Sequence, residues 1–87
     1  MPRISAAIPL EGYQCRIQFE DGTQKIVDLK PYLHGPIFKP MLDNLGIFRS
    51  LRVIDGTITW ENGADIDPDV LYYDLKPAWM EESVSNE

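Results

Sequence analysis

The stretch Y-Q-C-R-I-Q-F-E-D-G-T-Q-K-I-V, Tyr13 to Val27, decides how the rest of the chain is read. Tyr13, Cys15, Ile17 and Phe19 alternate with Gln14, Arg16 and Gln18, the period of two expected of a strand with one buried face. Asp21-Gly22 then favours a two-residue hairpin loop, because a type I′ turn needs positive φ at both central positions. That loop predicts Phe19 opposite Gln24, Ile17 opposite Ile26 and Cys15 opposite Asp28. Ile26 then shares the buried face and Val27 faces away. The unit is antiparallel.

Working outward, Ile4, Ala6 and Ile8 alternate and predict a short first strand ending at Pro9, with an edge open for pairing. Asp55-Gly56 repeats the hairpin signal, setting Ile54 opposite Thr57, Val53 opposite Ile58 and Leu51 opposite Trp60, so that Leu51, Val53, Ile58 and Trp60 share a face. Between the hairpins, from Asp28 to Ser50, periodicity is lost and prolines are dense. A residue before proline avoids the α region, which excludes long helices. Pro40 is expected to open a short helix through Leu45, with Gly46 as its stop. Ile37, Phe38, Leu42 and Phe48 are expected to plug the open side of the sheet.

Past Trp60, Pro68, Leu71, Tyr72 and Leu75 fall at i, i+3, i+4 and i+7, the stripe of a two-turn helix capped by Asp67 and ended by Pro77. A hairpin through Asn62-Gly63 is not expected. With a two-residue loop it would pair Trp60 with Asp65 and Ile58 with Asp67, putting carboxylates on the apolar face. The predicted fold class is α+β: a small antiparallel sheet of two hairpins plus an N-terminal strand, covered by short helices. Residues 1–78 are expected to form one domain and 79–87 an acidic tail.

Fourteen carboxylates against eight Lys and Arg give a net charge of −6. Nucleic-acid affinity rests largely on neutralising phosphates, so direct binding to nucleic acid is not expected, whereas a basic protein partner is compatible. The single cysteine, Cys15, allows no internal disulfide, and no apolar stretch is long enough for a signal or a membrane span. The expectation is a cytoplasmic protein with no membrane partner.

Chemistry is sparse. Asp65, Asp67 and Asp69 stand at positions 1, 3 and 5 of a calcium-loop spacing, but Val70 replaces the required glycine and Lys76 the bidentate Glu, so no metal is expected. A hydrolase built on Asp28, Asp65 and Asp67 is a weak third reading. His34 and Cys15 cannot make a zinc site or a nucleophile pair alone, and no glycine-rich phosphate loop is present. No cofactor and no catalytic residue is expected. The residues with the best claim to an interaction or ligand surface are His34, Trp60, Asn62, Asp65 and Tyr72.

The motifs F-E-D-G (Phe19–Gly22), V-D-L (Val27–Leu29), G-P-I-F-K-P-M (Gly35–Met41) and Phe48 carry a resemblance to a known family. So, most distinctively, does G-T-I-T-W-E-N-G-A-D-I-D-P-D-V-L-Y (Gly56–Tyr72). The chain resembles the domain-of-unknown-function 2442 family of small prokaryotic proteins over residues 5–73, and departs from it in the extension after Tyr73. The resemblance implies a single α+β domain. Some members carry a helix-turn-helix, which this chain has no room for, and many look like one component of a two-gene, toxin–antitoxin-type pair. The expectation is a non-enzymatic protein-interaction module, the antitoxin-like member of such a pair; the open edge of the first strand is compatible with a homodimer, and the sequence does not fix the oligomeric state. The alternative is a small-ligand-sensing or regulatory subunit that binds near Trp60 and Asn62.

Overall fold

Asp55 and Gly56 both adopt left-handed backbone, φ 53° and 77°. Their two-residue loop sets Ile54 opposite Thr57, Val53 opposite Ile58 and Arg52 opposite Thr59, in the register the sequence predicts. The structure is a computed structural model that describes residues 1–76. It holds two three-stranded antiparallel sheets with a few short helices, a small α+β fold. The first sheet is β1 (Ile4–Pro9), β2 (Gln14–Phe19) and β3 (Gln24–Asp28); the second is β4 (Arg52–Ile54), β5 (Thr57–Thr59) and β6 (Asp65–Ile66).

In the first sheet the register departs from expectation by one residue. Gly22 N donates to Phe19 O at 3.0 Å and Phe19 N to Thr23 O at 2.8 Å, so the loop is Glu20-Asp21-Gly22. Gly22, at φ 94°, supplies the positive-φ residue that closes a three-residue hairpin. The extra loop residue places Arg16 opposite Ile26, Cys15 opposite Val27 and Gln14 opposite Asp28. Ile26 is therefore exposed and Val27 packs against the core, the reverse of the two-residue prediction.

The turn after Trp60 follows the same rule and overturns a second expectation. Gly63 N donates to Trp60 O at 3.0 Å and Trp60 N to Ala64 O at 2.9 Å, so a hairpin does form, around Glu61-Asn62-Gly63. Its register sets Thr59 opposite Asp65 and Ile58 opposite Ile66. Ala64 and Ile66 then point inward while Asp65 and Asp67 stay exposed, so the feared burial of carboxylates never arises. In β1 the register shifts between Ile4 and Ala6, so the alternation does not run through the strand: Ile4 is buried, Ala7 packs on the core and Ile8 is exposed.

The proline-rich middle makes turns of 3-10 helix at Lys30–Tyr32 and Pro36–Phe38, then α1 (Lys39–Asp43) and α2 (Leu45–Phe48). Asn44, not Gly46, interrupts the helix. It is extended, φ −142°, and its side chain accepts from Gly46 N to start α2. Phe38 and Phe48 are buried as expected and Met41 joins them, but Ile37 and Leu42 stay exposed. α3 (Pro68–Tyr72) has the expected Asp67 cap, with Oδ1 accepting from Asp69 N at 2.9 Å. It ends at Tyr72, one turn earlier than the stripe suggested: Leu75 is exposed, and Pro77 and the acidic tail lie outside the described residues.

One apolar cluster joins these parts: Ile4, Ile17 and Phe19 from the first sheet, Ile58, Trp60 and Ile66 from the second, with Met41, Phe48 and Leu71. The sheets meet where Ile4 N donates to Gly56 O at 3.0 Å. Tyr13 OH donates to Met41 O at 2.9 Å while its ring meets Phe48 edge-on at 4.8 Å, fixing α1 and α2 over β2.

Candidate functional site

α1 and α2 are each about one turn long, and a single turn cannot turn all its apolar residues inward. Met41 and Phe48 take the inward positions. Ile37, Leu42, Leu45 and Ile47 are left between 39 and 47% exposed on α1, α2 and the turn before them. Of these, Ile47 lines a cleft of about 370 Å³ whose lining also includes Pro40, Met41, Trp60, Glu61 and Asn62.

Trp60 and Asn62 build the far wall. The Trp60 indole is buried, Nε1 donates to Phe48 O at 2.9 Å, and the ring stands edge-on to Phe38 at 5.8 Å. Asn62 Nδ2 donates to Ile37 O at 3.0 Å and its Oδ1 accepts from Ala64 N at 3.1 Å. The β5–β6 turn is thus stitched to the helical cap. With these polar atoms committed and the Glu61 carboxylate at its lining, the cleft offers mainly apolar contact.

The other expected residues lie elsewhere. Asp65 lines a cleft of about 550 Å³ with Arg3, Asp55, Asp67 and Asp69. Among the described residues, no three His, Cys, Asp or Glu side chains are arranged to hold a metal ion. Asp28, on the first sheet, accepts from Lys30 N at 3.1 Å and does not line that cleft, so the three carboxylates of the hydrolase reading are not gathered. Tyr72 lines a third cleft of about 410 Å³ with Arg3, Phe19 and Asp21. Its hydroxyl donates to Asp21 Oδ2 at 2.6 Å, a bond that lowers the Asp21 carboxyl and raises the Tyr72 phenol from their ordinary pKa values. His34 is exposed in the loop between the two 3-10 turns. Cys15 is fully buried, and burial pushes its thiol up to about 11, away from thiolate chemistry.

The sequence reading brought Trp60 and Asn62 to one place, and the structure puts both on the apolar cleft. It missed Leu45 and Ile47, and assigned Ile37 and Leu42 to the core. The available signal was a count: L-D-N-L-G-I-F packs four apolar side chains into two turns with room to bury fewer.

Comparison with curated proteins and with solved structures gives no match. The family described as "Protein of unknown function (DUF2442)" matches residues 4–77, well over half of the chain, and the chain belongs to that family.

Proposed function

We propose that this is a non-enzymatic protein-interaction module whose contact surface is the α1–α2 cap and the cleft beneath Ile47. The observation that carries the reading is the set of four exposed aliphatic side chains on this segment, Ile37, Leu42, Leu45 and Ile47, the last of which lines a cleft whose Trp60 and Asn62 polar atoms are already bonded. Exposed apolar groups gathered on one segment mark an interaction surface. With a net charge of −6, the fitting partner is a basic protein segment that places bulky apolar side chains on the cap. An antitoxin-like role follows if that segment is the partner's working surface, which the domain would then cover. The ligand-sensing alternative draws less support, because a small polar ligand finds few uncommitted donors here.

The tagged full-length chain, expressed in its native host, is expected to retain one stoichiometric basic protein. Ile47→Asp and Leu45→Asp, both at exposed positions, should release it, while Asp65→Asn on the separate acidic cleft should not. Recovery of no stoichiometric partner, or undiminished binding by Ile47→Asp, overturns the proposal.

A further inference from the structure

Sheet edges present unpaired backbone donors and acceptors, and small proteins guard them with short strands, prolines, bulges or charges. Among the described residues, three of the four edges are guarded. β1 carries a register shift near Ser5 and ends at Pro9, which has no N–H, while Ile4 N is taken by Gly56 O. β4 is three residues long, and β6 is two, one of them Asp65.

β3 is different. It runs five residues, Gln24–Asp28, with no proline and no register shift. Its two charges, of opposite sign, are tied within the chain: Lys25 Nζ donates to Leu71 O, Tyr72 O and Asp74 Oδ1, and Asp28 accepts from Lys30 N. Phe19 N bonds to Thr23 O and Leu29 N to Tyr13 O, so in the alternating antiparallel pattern Lys25 and Val27 face β2. Gln24, Ile26 and Asp28 therefore turn their N–H and C=O groups outward. Among the described residues nothing takes those groups up.

We propose that this edge pairs antiparallel with β3 of a second copy of the chain, about a two-fold axis at Ile26. The segment Q-K-I-V-D is self-complementary in that arrangement. Gln24 lies opposite Asp28, Lys25 opposite Val27, and Ile26 opposite Ile26. The in-register parallel alternative would instead set Lys25 against Lys25 and Asp28 against Asp28, both repulsive. The outer face agrees: Ile8, Arg16 and Ile26 form one cross-strand row in which Ile8 and Ile26 are 50% and 59% exposed. Pairing places the two Ile26 side chains together at the centre of a continuous sheet made from two three-stranded ones. This surface is separate from the α1–α2 cap, so either proposal can fail without the other.

Sedimentation equilibrium of the full-length chain is expected to show a reversible, concentration-dependent dimer. Ile26→Glu sets two carboxylates face to face at the axis and should leave a monomer at every concentration, with the circular dichroism of the parent. Ile26→Cys should form an interchain disulfide on mild oxidation, because directly opposed hydrogen-bonded residues stand about 5.5 Å apart, within disulfide range. Gln24→Cys should cross-link far more slowly, and the buried Cys15 should not compete. A parent chain that stays monomeric, an undisturbed dimer in Ile26→Glu, or Gln24→Cys cross-linking as fast as Ile26→Cys each overturns the proposal.

Discussion

Tyr72 and Asp21 show how single side chains tie distant parts of this chain together. Tyr72 stands edge-on to Phe19 at 4.8 Å and donates to the carboxylate of Asp21 in the first hairpin turn. Nearby, Lys25 Nζ donates to Leu71 O at 2.9 Å, Tyr72 O at 3.0 Å and Asp74 Oδ1 at 2.9 Å, closing the C-terminal end of α3 onto β3. Bonding to Tyr72 first, and to Thr23 second, holds Asp21 below its ordinary pKa. That contribution to stability is present above the ordinary carboxylate range and is lost as pH falls through the lowered value. The same bond raises Tyr72, so its contribution is present below the ordinary phenol value and is lost as pH rises through the raised one. Urea midpoints of the parent and Tyr72→Phe should therefore differ most near neutrality and converge at both extremes. A gap that stays constant with pH would remove the bond from this account.

Among the elements, the two three-residue turns are the same device used twice. Phe19-Glu20-Asp21-Gly22-Thr23 and Trp60-Glu61-Asn62-Gly63-Ala64 each start on a buried aromatic, bond back to it, and place glycine at φ 94° and 92°. In each, the Asp or Asn oxygen accepts from the backbone N–H two residues on. A side chain at the glycine position costs about 1–2 kcal/mol of left-handed strain. Nothing lies within 4 Å of an added Cβ at Gly63, so Gly63→Ala isolates that strain and should lower unfolding free energy in urea by about 1–2 kcal/mol. A neutral result would mean the turn can relax to another form. Here the sequence was legible and yet misread. Asp-Gly and Asn-Gly fit a two-residue loop as readily as the end of a three-residue one, and only the strands can choose between them. In β4 the adjacent Val53 and Ile54 are told apart because Leu51 alternates with Val53 and matches Ile58 and Trp60 on the partner strand. In β3 the adjacent Ile26 and Val27 are told apart only by Leu29, which lies just past the strand on the Val27 face.

For the molecule as a whole, taking Asn62-Gly63 as a two-residue loop excludes β6, whereas β1 to β5, the second hairpin and the Asp67 cap could be read from periodicity and turn chemistry. The exposed helical cap could not, because Asp28–Ser50 has no period, and burial there is decided by where the chain lands on the sheets. Leu71, fully buried on α3, is one of the few points where the C-terminal part enters the common core. Leu71→Ala should cost about 2–5 kcal/mol of stability, measured by chemical denaturation. A loss below that range would mean the cavity collapses. The strand order within each sheet has a consequence for time as well as for stability. Every strand pairs with its neighbour in sequence, whereas the Ile4–Gly56 bond and the Tyr72–Phe19 contact close loops many times longer. Short loops close with less entropic loss, so each meander can form early and by itself, with α3 docking last. The Leu71→Ala penalty should then show up mainly as faster unfolding, with refolding little changed in stopped-flow traces. On this account the chain is assembled from its two turns outward, and the last contact made is the first to let go.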